Sequence, residues 1–269
     1  MRPADAVSLA AFFYFVVMGW VRRVNQKQQR QIVKLGLAGV ALIALPELLA
    51  SRFPGTARVL GDWLPNLVLL IVYWQAGRFL GAPNQRLQDW LDEFDRKRLG
   101  KLLDFWTRRG SRTWVGSYFE LAYLLCYLVV PLGVGVLYLA QMRAAIDEYW
   151  LTVLPATYLC YIPMPFTQTL PPRLLHSAEA EALDGQKIRQ LNLFILRHGS
   201  IHLNTLPSGH VAAAVSAALV LLRHTPAAGA AFLLIALSIA VGAVVGRYHY
   251  AADIVLGVIV PLAIAALVR

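Results

Sequence analysis

Three short stretches hold most of the residues able to do chemistry. They are Thr169-Leu170-Pro171-Pro172-Arg173, Leu206-Pro207-Ser208-Gly209-His210, and Gly246-Arg247-Tyr248-His249-Tyr250-Ala251-Ala252-Asp253. All six histidines fall between His176 and His249. Two arginines, two histidines, a serine and an aspartate make up the set needed to move a phosphoryl group through a phosphohistidine. Arg173 and Arg247 offer planar cationic forks for phosphate oxygens. Ser208 and Gly209 open an apolar run, where the hydroxyl and the N–H groups of a helix N-terminus would face an anion. His249 and Asp253 are four residues apart, a spacing that places both on one face of a helix start. A carboxylate there holds the imidazole in one tautomer and stabilises its cation, leaving the other nitrogen to attack. His210 would protonate the leaving oxygen and later activate water. The set asks for no metal or other cofactor, because the arginines and amides carry the charge stabilisation. Vanadate, a phosphate mimic, is expected to inhibit.

The elements that must position these residues are apolar and long. The chain has 269 residues, 58% hydrophobic and 15% charged. Soluble domains run closer to about 25% charged, so the composition argues against a water-soluble enzyme. Apolar stretches of spanning length occur at about 5–21, 32–50, 63–80, 115–140, 147–166, 207–223, 227–246 and 250–268. The first lacks a small-residue cleavage site before Arg22 and Arg23, so it reads as a retained helix. The expected fold is an all-α polytopic bundle of about six to eight spans. Residues 1–114 would supply N-terminal helices and an interfacial segment, and 115–269 the catalytic core. Cys126 and Cys160 lie within apolar runs and suggest neither a disulfide framework nor a zinc site.

Two connections are long. In 82–112, Leu87, Trp90, Leu91 and Phe94, then Leu99, Leu102, Leu103 and Trp106, repeat at helical spacing. They read as two amphipathic helices with a break near Gly100, lying on the membrane or packed on the protein as a solvated hairpin. The second connection, 167–206, carries a helical stretch around 177–197. With eight spans, 19 of the 25 Lys and Arg share the side that holds the three chemical stretches. The positive-inside rule puts that side in the cytoplasm. The net charge of +10 thus points to anionic lipid and the bilayer, not to nucleic acid.

Pro207-Ser208-Gly209-His210, followed one hairpin later by His249-x-x-x-Asp253, resembles the type 2 phosphatidic acid phosphatase (PAP2) superfamily. The similarity covers roughly 147–268 in order, spacing and placement between spans. It implies His249 as nucleophile, His210 as acid and Asp253 as support for His249. It also implies Arg173, Ser208 and Gly209 as phosphate contacts, a lipid phosphate as substrate, and a place in the cell (inner) membrane. Many relatives work on its outer face, opposite to the charge bias. The sequence departs from the family pattern in three places. Phe166 stands where the first motif has a lysine, Leu174 replaces its proline, and Ala243 stands at the third-motif arginine. Arg247, four residues later on the same helical face, is expected to replace that arginine from about one turn (~6 Å) away. Lys187, Arg189, Arg197 and His202 are candidates for the missing lysine.

Arg-Tyr-His-Tyr after Pro-Pro-Arg is closer to the branch of inositol-phosphorylceramide synthase-like phosphotransferases. Hydrolysis of a phosphatidate-like monoester and transfer of a phospho-headgroup to an alcohol use the same residues, with water as the default acceptor. The competing class is a lipid carrier or transporter that kept the fold without the chemistry. Polar residues gathered at one face, instead of at mid-membrane, favour chemistry. Glu120 lies near that face and reads as an interfacial contact at a helix end. Trp63, Trp74, Trp106, Trp114 and Trp150 read as aromatic-belt anchors.

Overall fold

In the computed structural model the described residues are 1–79, 81–109, 113–176 and 187–268, and they are helical with connecting loops. The helices are α1 (Pro3–Val21), α2 (Gln26–Ala50), α3 (Pro54–Trp63), α4 (Pro65–Ala76), α5 (Gln85–Arg108), α6 (Trp114–Leu124) and α7 (Val129–Leu139). There follow α8 (Ile146–Tyr161), the single turn α9 (Pro172–Leu175), α10 (Lys187–Gly199), α11 (Gly209–His224), α12 (Pro226–Val245) and α13 (Ala251–Leu267). Local chemistry sets several starts. Asn25 caps α2, its side chain accepting from the Gln28 N–H, and Asn84 caps α5 through Leu87. Pro54, Pro65 and Pro226 occupy first-turn positions, where a missing N–H costs nothing.

α11 is the central helix. Val211, Ala212, Ala214, Ala217, Ala218, Val220 and Leu221 are all buried, and α7, α8, α12 and α13 pack around them. Small side chains let these neighbours come close. At the hairpin into α12, a Cβ on Gly229 would lie 2.3 Å from the Leu222 backbone nitrogen. α1 and α4 pack on α8, and α2 lies outside them. Only Ile32, Gly36 and Gly39 of α2 are buried.

Each of the eight apolar stretches is helical, but not every one is a single full-length span. α1, α2 and α12 are long and apolar enough to cross a membrane, and two bent pairs raise the number to five among the described residues. α3 and α4 meet at 41°, and the α6 segment meets α7 at 71°. The second break has a covalent cause. Pro131 can neither donate to the Tyr127 carbonyl nor pass it without a clash. A 3-10 turn over Leu125–Tyr127 takes up the bend, and the Tyr149 hydroxyl donates to the Val130 carbonyl at 2.7 Å. α8 and α11 have 16 residues each and α13 has 17. Helices of that length reach about 24–26 Å at 1.5 Å per residue, short of a ~30 Å hydrocarbon core. All three end or begin in the loops that carry the chemical residues.

The expected pair of amphipathic helices in 82–112 is instead one helix, α5, running through Gly100. A Cβ at Gly100 would meet nothing within 4 Å, so no packing constraint forces a break there. At the end of the bundle where α1 and α8 begin, buried Asp62 pairs with Arg2 at 2.7 Å and Arg143 at 2.6 Å. Glu148 pairs with Arg223 at 2.7 Å. Among the described residues, Arg2, Arg143 and Arg223 on that face are therefore held in ion pairs.

Candidate active site

The site is assembled by backbone before side chains. Arg173 N–H donates to the Arg247 carbonyl at 2.9 Å, joining the first stretch to the third. Ser208 N–H donates to the Asp253 carbonyl at 2.9 Å, joining the second to the third. Asn204 N–H donates to the Thr169 carbonyl at 2.9 Å, joining the second to the first. Bonds between residues up to 74 positions apart thus close the segments into one ring of loops.

The third stretch turns sharply. α12 ends at Val245, and Arg247 takes a left-handed conformation, φ 61°. That lets both Tyr248 N–H and His249 N–H reach back to the Ala243 carbonyl, at 2.8 and 3.0 Å. A non-glycine residue in this region carries strain of about 1–3 kcal/mol, of the kind that clusters at functional sites. It also corrects the expected position of Arg247. The residue lies beyond the helix, in the turn, and does not share a helical face with Ala243. Next, Asp253 receives Tyr250 N–H at 2.9 Å and sits 3.2 Å from His249 Nδ1, both on Oδ2. Asp253 is fully buried and His249 nearly so. With Nδ1–H donated to the carboxylate, His249 presents Nε2 with its lone pair.

His210 begins α11 and faces His249 with ring centroids 5.9 Å apart at 63°. The rings of Tyr73, Tyr123 and Tyr127 surround it at 6.4, 6.2 and 5.8 Å. Buried atoms here without a protein partner include Ser208 Oγ, His210 Nδ1 and Asp253 Oδ1, with Tyr127 Oη and Asn204 Oδ1 beside them. Buried polar atoms are normally satisfied, so a cluster of unsatisfied ones within one ring of loops is unusual. Gly209 is needed for space, since a Cβ there would lie 2.5 Å from Tyr161 Cε1. Arg173 lies over the Tyr248 ring, 6.0 Å from its centroid. Tyr248 in turn stacks on Tyr123 at 3.8 Å and 6°. Arg173 is thus linked to His210 through the Tyr248–Tyr123 stack, and His210 faces His249 directly.

The family model described as the PAP2 superfamily matches residues 98–267. The chain belongs to the PAP2 superfamily. Comparison with curated proteins and with solved structures returns no match. PAP2 proteins are generally phosphatases and phosphotransferases. The match starts within α5 and takes in all three loops.

Around this PAP2 site lies a buried network that joins Arg189 and Glu120 to Asn192, a residue the sequence did not single out. Arg189 is 1% exposed and donates to Glu120 at 2.9 Å, to the Gly246 carbonyl at 3.1 Å and to the Tyr248 hydroxyl at 3.4 Å. Asn192 and the Tyr248 hydroxyl complete the shell of Glu120 at 2.8 and 2.6 Å. Glu120 is therefore the centre of a buried network, not an interfacial contact. Among the candidates for the missing lysine, Lys187, Arg197 and His202 are exposed, whereas Arg189 braces the turn from behind Tyr248. Phe166, at the lysine position, is half exposed with the Arg22 guanidinium 5.1 Å over its ring.

α5 supports the PAP2 loops from the other side. Gln88, Asp92 and Asp95, at helical spacing, face the protein. Gln88 bonds the Leu170 backbone and the Tyr250 hydroxyl. Asp92 takes His176 at 2.6 Å, and Asp95 accepts Ala251 N–H at 3.1 Å. Burial pushes the Asp95 carboxyl up from its ordinary range to about 6, against the opposing pull of Ala251 N–H. Leu91 packs beside Tyr250, while Trp90, Leu102 and Phe105 stay exposed.

Proposed function

We propose that this PAP2 protein is an integral-membrane phosphatase that hydrolyses a lipid-linked phosphate monoester through a phosphohistidine. The observation that carries this reading is the pairing of His249 with Asp253 opposite His210, beside buried polar atoms without a protein partner. His249 Nε2 attacks phosphorus, and the ester P–O bond breaks. Asp253 stabilises the positive charge that develops on the imidazole. His210 gives its proton to the departing alkoxide. Water then attacks the phosphohistidine as His210 takes a proton back, releasing phosphate. Arg173, Arg247, the Ser208 hydroxyl and the Gly209 N–H hold the phosphate oxygens, so no metal is needed for charge stabilisation. Residues 115–269 carry the catalytic core, braced by the helices before them, in the cell (inner) membrane.

The test is purified protein with EDTA and a panel of lipid phosphates, scored for free phosphate and for new phospholipid. Phosphate release that is vanadate-sensitive and lost in His249→Ala supports the reading. Headgroup transfer without phosphate release replaces it with a phosphotransferase. Lipid movement unchanged by His249→Ala replaces it with a carrier.

A further inference from the structure

The hairpin between α1 and α2 carries charge of one sign only. Between Asp5 and Glu47 the chain has five Lys and Arg, at Arg22, Arg23, Lys27, Arg30 and Lys34, and no acidic residue. A groove of about 640 Å³ opens between the end of α1 and the first turns of α2. Three of the five cations, Arg23, Arg30 and Lys34, line it beside the apolar side chains of Trp20, Val24 and Val33. Arg30 and Lys34 are four residues apart on one helix, hence neighbours on one face. Arg23 joins them from the left-handed turn, φ 50°, that follows α1. Among the described residues none of these three has an ion-pair partner, whereas Arg2, Arg143 and Arg223 at the opposite end of the bundle are paired. Arg22 and Lys27 do not border the groove. The Arg22 guanidinium lies over Phe166, just before the first chemical stretch, which puts the hairpin at the catalytic end of the bundle.

α1 and α2 are both long and apolar enough to cross a membrane, so the hairpin that joins them lies at headgroup level. Only Ile32, Gly36 and Gly39 of α2 are buried, which leaves most of that helix facing lipid. Trp20, 70% exposed in the last turn of α1, has the chemistry and the place of an interfacial anchor. Three cations without a carboxylate to neutralise them suit a phosphate, and the apolar side chains among them suit acyl chains better than a free ion. We infer that this groove holds the headgroup of an anionic phospholipid, at a place separate from the catalytic loops. Arg23, Arg30 and Lys34 receive the phosphate oxygens, while Trp20, Val24 and Val33 pack on the glycerol and the first chain methylenes. None of the groups assigned above to chemistry borders the groove. The lipid held there is a resident of the fold and not a substrate.

The experiment is native mass spectrometry of the delipidated full chain in neutral detergent. It is titrated with dioctanoyl phosphatidylglycerol, dioctanoyl phosphatidylcholine or inorganic phosphate. Phosphatidylglycerol should bind about tenfold or more tighter than phosphatidylcholine. Arg30→Ala or Lys34→Ala should weaken it about fivefold, and Arg23→Ala/Arg30→Ala/Lys34→Ala about 100-fold (about 1 kcal/mol per cation). Lys27→Ala removes the same charge from the same hairpin outside the groove and should stay within about twofold, as should Arg173→Ala in the catalytic loops. All the groove cations replaced are exposed, so these variants keep the fold. Equal binding of the two lipids, or equal losses in Lys27→Ala and the groove variants, overturns the site and leaves only diffuse surface charge. Binding lost in Arg173→Ala and kept in the groove variants overturns it by placing the lipid at the catalytic loops. Inorganic phosphate that displaces phosphatidylglycerol at equal concentration overturns the lipid assignment in favour of a free anion.

Discussion

Asp253→Asn isolates charge from shape at the centre of the proposed chemistry. Asp253 Oδ2 faces two donors, Tyr250 N–H and His249 Nδ1–H, at 2.9 and 3.2 Å. Both favour an oxygen in that position, so the asparagine should set its carbonyl there and preserve the histidine tautomer. The Ser208 N–H bond to the residue 253 carbonyl is untouched, so the ring of loops stays closed. What is lost is the negative charge beside an imidazole that becomes cationic as it attacks. At about 4 Å and an effective dielectric near 20, that interaction is worth at most about 4 kcal/mol. A loss of about 2–4 kcal/mol lowers kcat by about 30- to 1,000-fold. KM should change by less than about threefold, since the charge acts in the transition state more than on bound substrate. Initial rates of phosphate release give kcat and KM, and an acid-labile radiolabelled phosphoenzyme should accumulate more slowly in the variant. A kcat within about threefold of wild type, with folding intact, would refute the assignment of Asp253 as electrostatic support for His249.

Three further outcomes follow from the surroundings. Glu120→Ala leaves Arg189 buried without its carboxylate, costing about 3–5 kcal/mol. The apparent unfolding midpoint should fall by about 10 °C, and Glu120→Ala/Arg189→Met should lose less than the sum of the single changes. Gly209→Ala brings a methyl against the buried Tyr161 ring. Overpacking of that kind costs about 1–3 kcal/mol, and the shifted loop should reduce phosphate release more than it reduces thermal stability. Asp95→Asn tests the raised carboxyl. Folded Asp95 keeps its proton up to about pH 6, above its ordinary value of 3.8. The unfolded chain therefore releases that proton first, and stability falls as pH rises between these values and then levels off. The variant should lack this slope and be more stable near pH 7, by on the order of 1 kcal/mol after allowance for nearby water. Thermal midpoints measured from pH 4 to 8 check both the sign and the window.

Much of the fold was legible because hydrophobicity along the chain marks helices directly. Each apolar stretch is a helix or a bent pair, and the three chemical stretches meet. The misreadings share physical causes. In α5, Leu91 is fully buried while its neighbour Trp90 is 53% exposed. Periodicity located an amphipathic helix but could not say that its polar edge, Gln88, Asp92 and Asp95, would turn toward the protein. Glu120 and Arg189 are 69 residues apart, and no local pattern announces a buried pair at that distance. Spacing from Ala243 alone puts Arg247 on a helical face, although Gly246 is a residue that commonly ends a helix. Val245 and Gly246 end it through a left-handed turn at a residue type that seldom adopts one.

The bonds that close the ring of loops are amide-to-carbonyl at all three joints. Such bonds are indifferent to which side chain each position carries. Phe166, Leu174 and Ala243 have departed from the family pattern, yet the frame that aims His210 and His249 is intact. Scaffold and lining are thus separable: the joints are made by backbone amides and carbonyls, and the side chains around them are free to differ without breaking those joints.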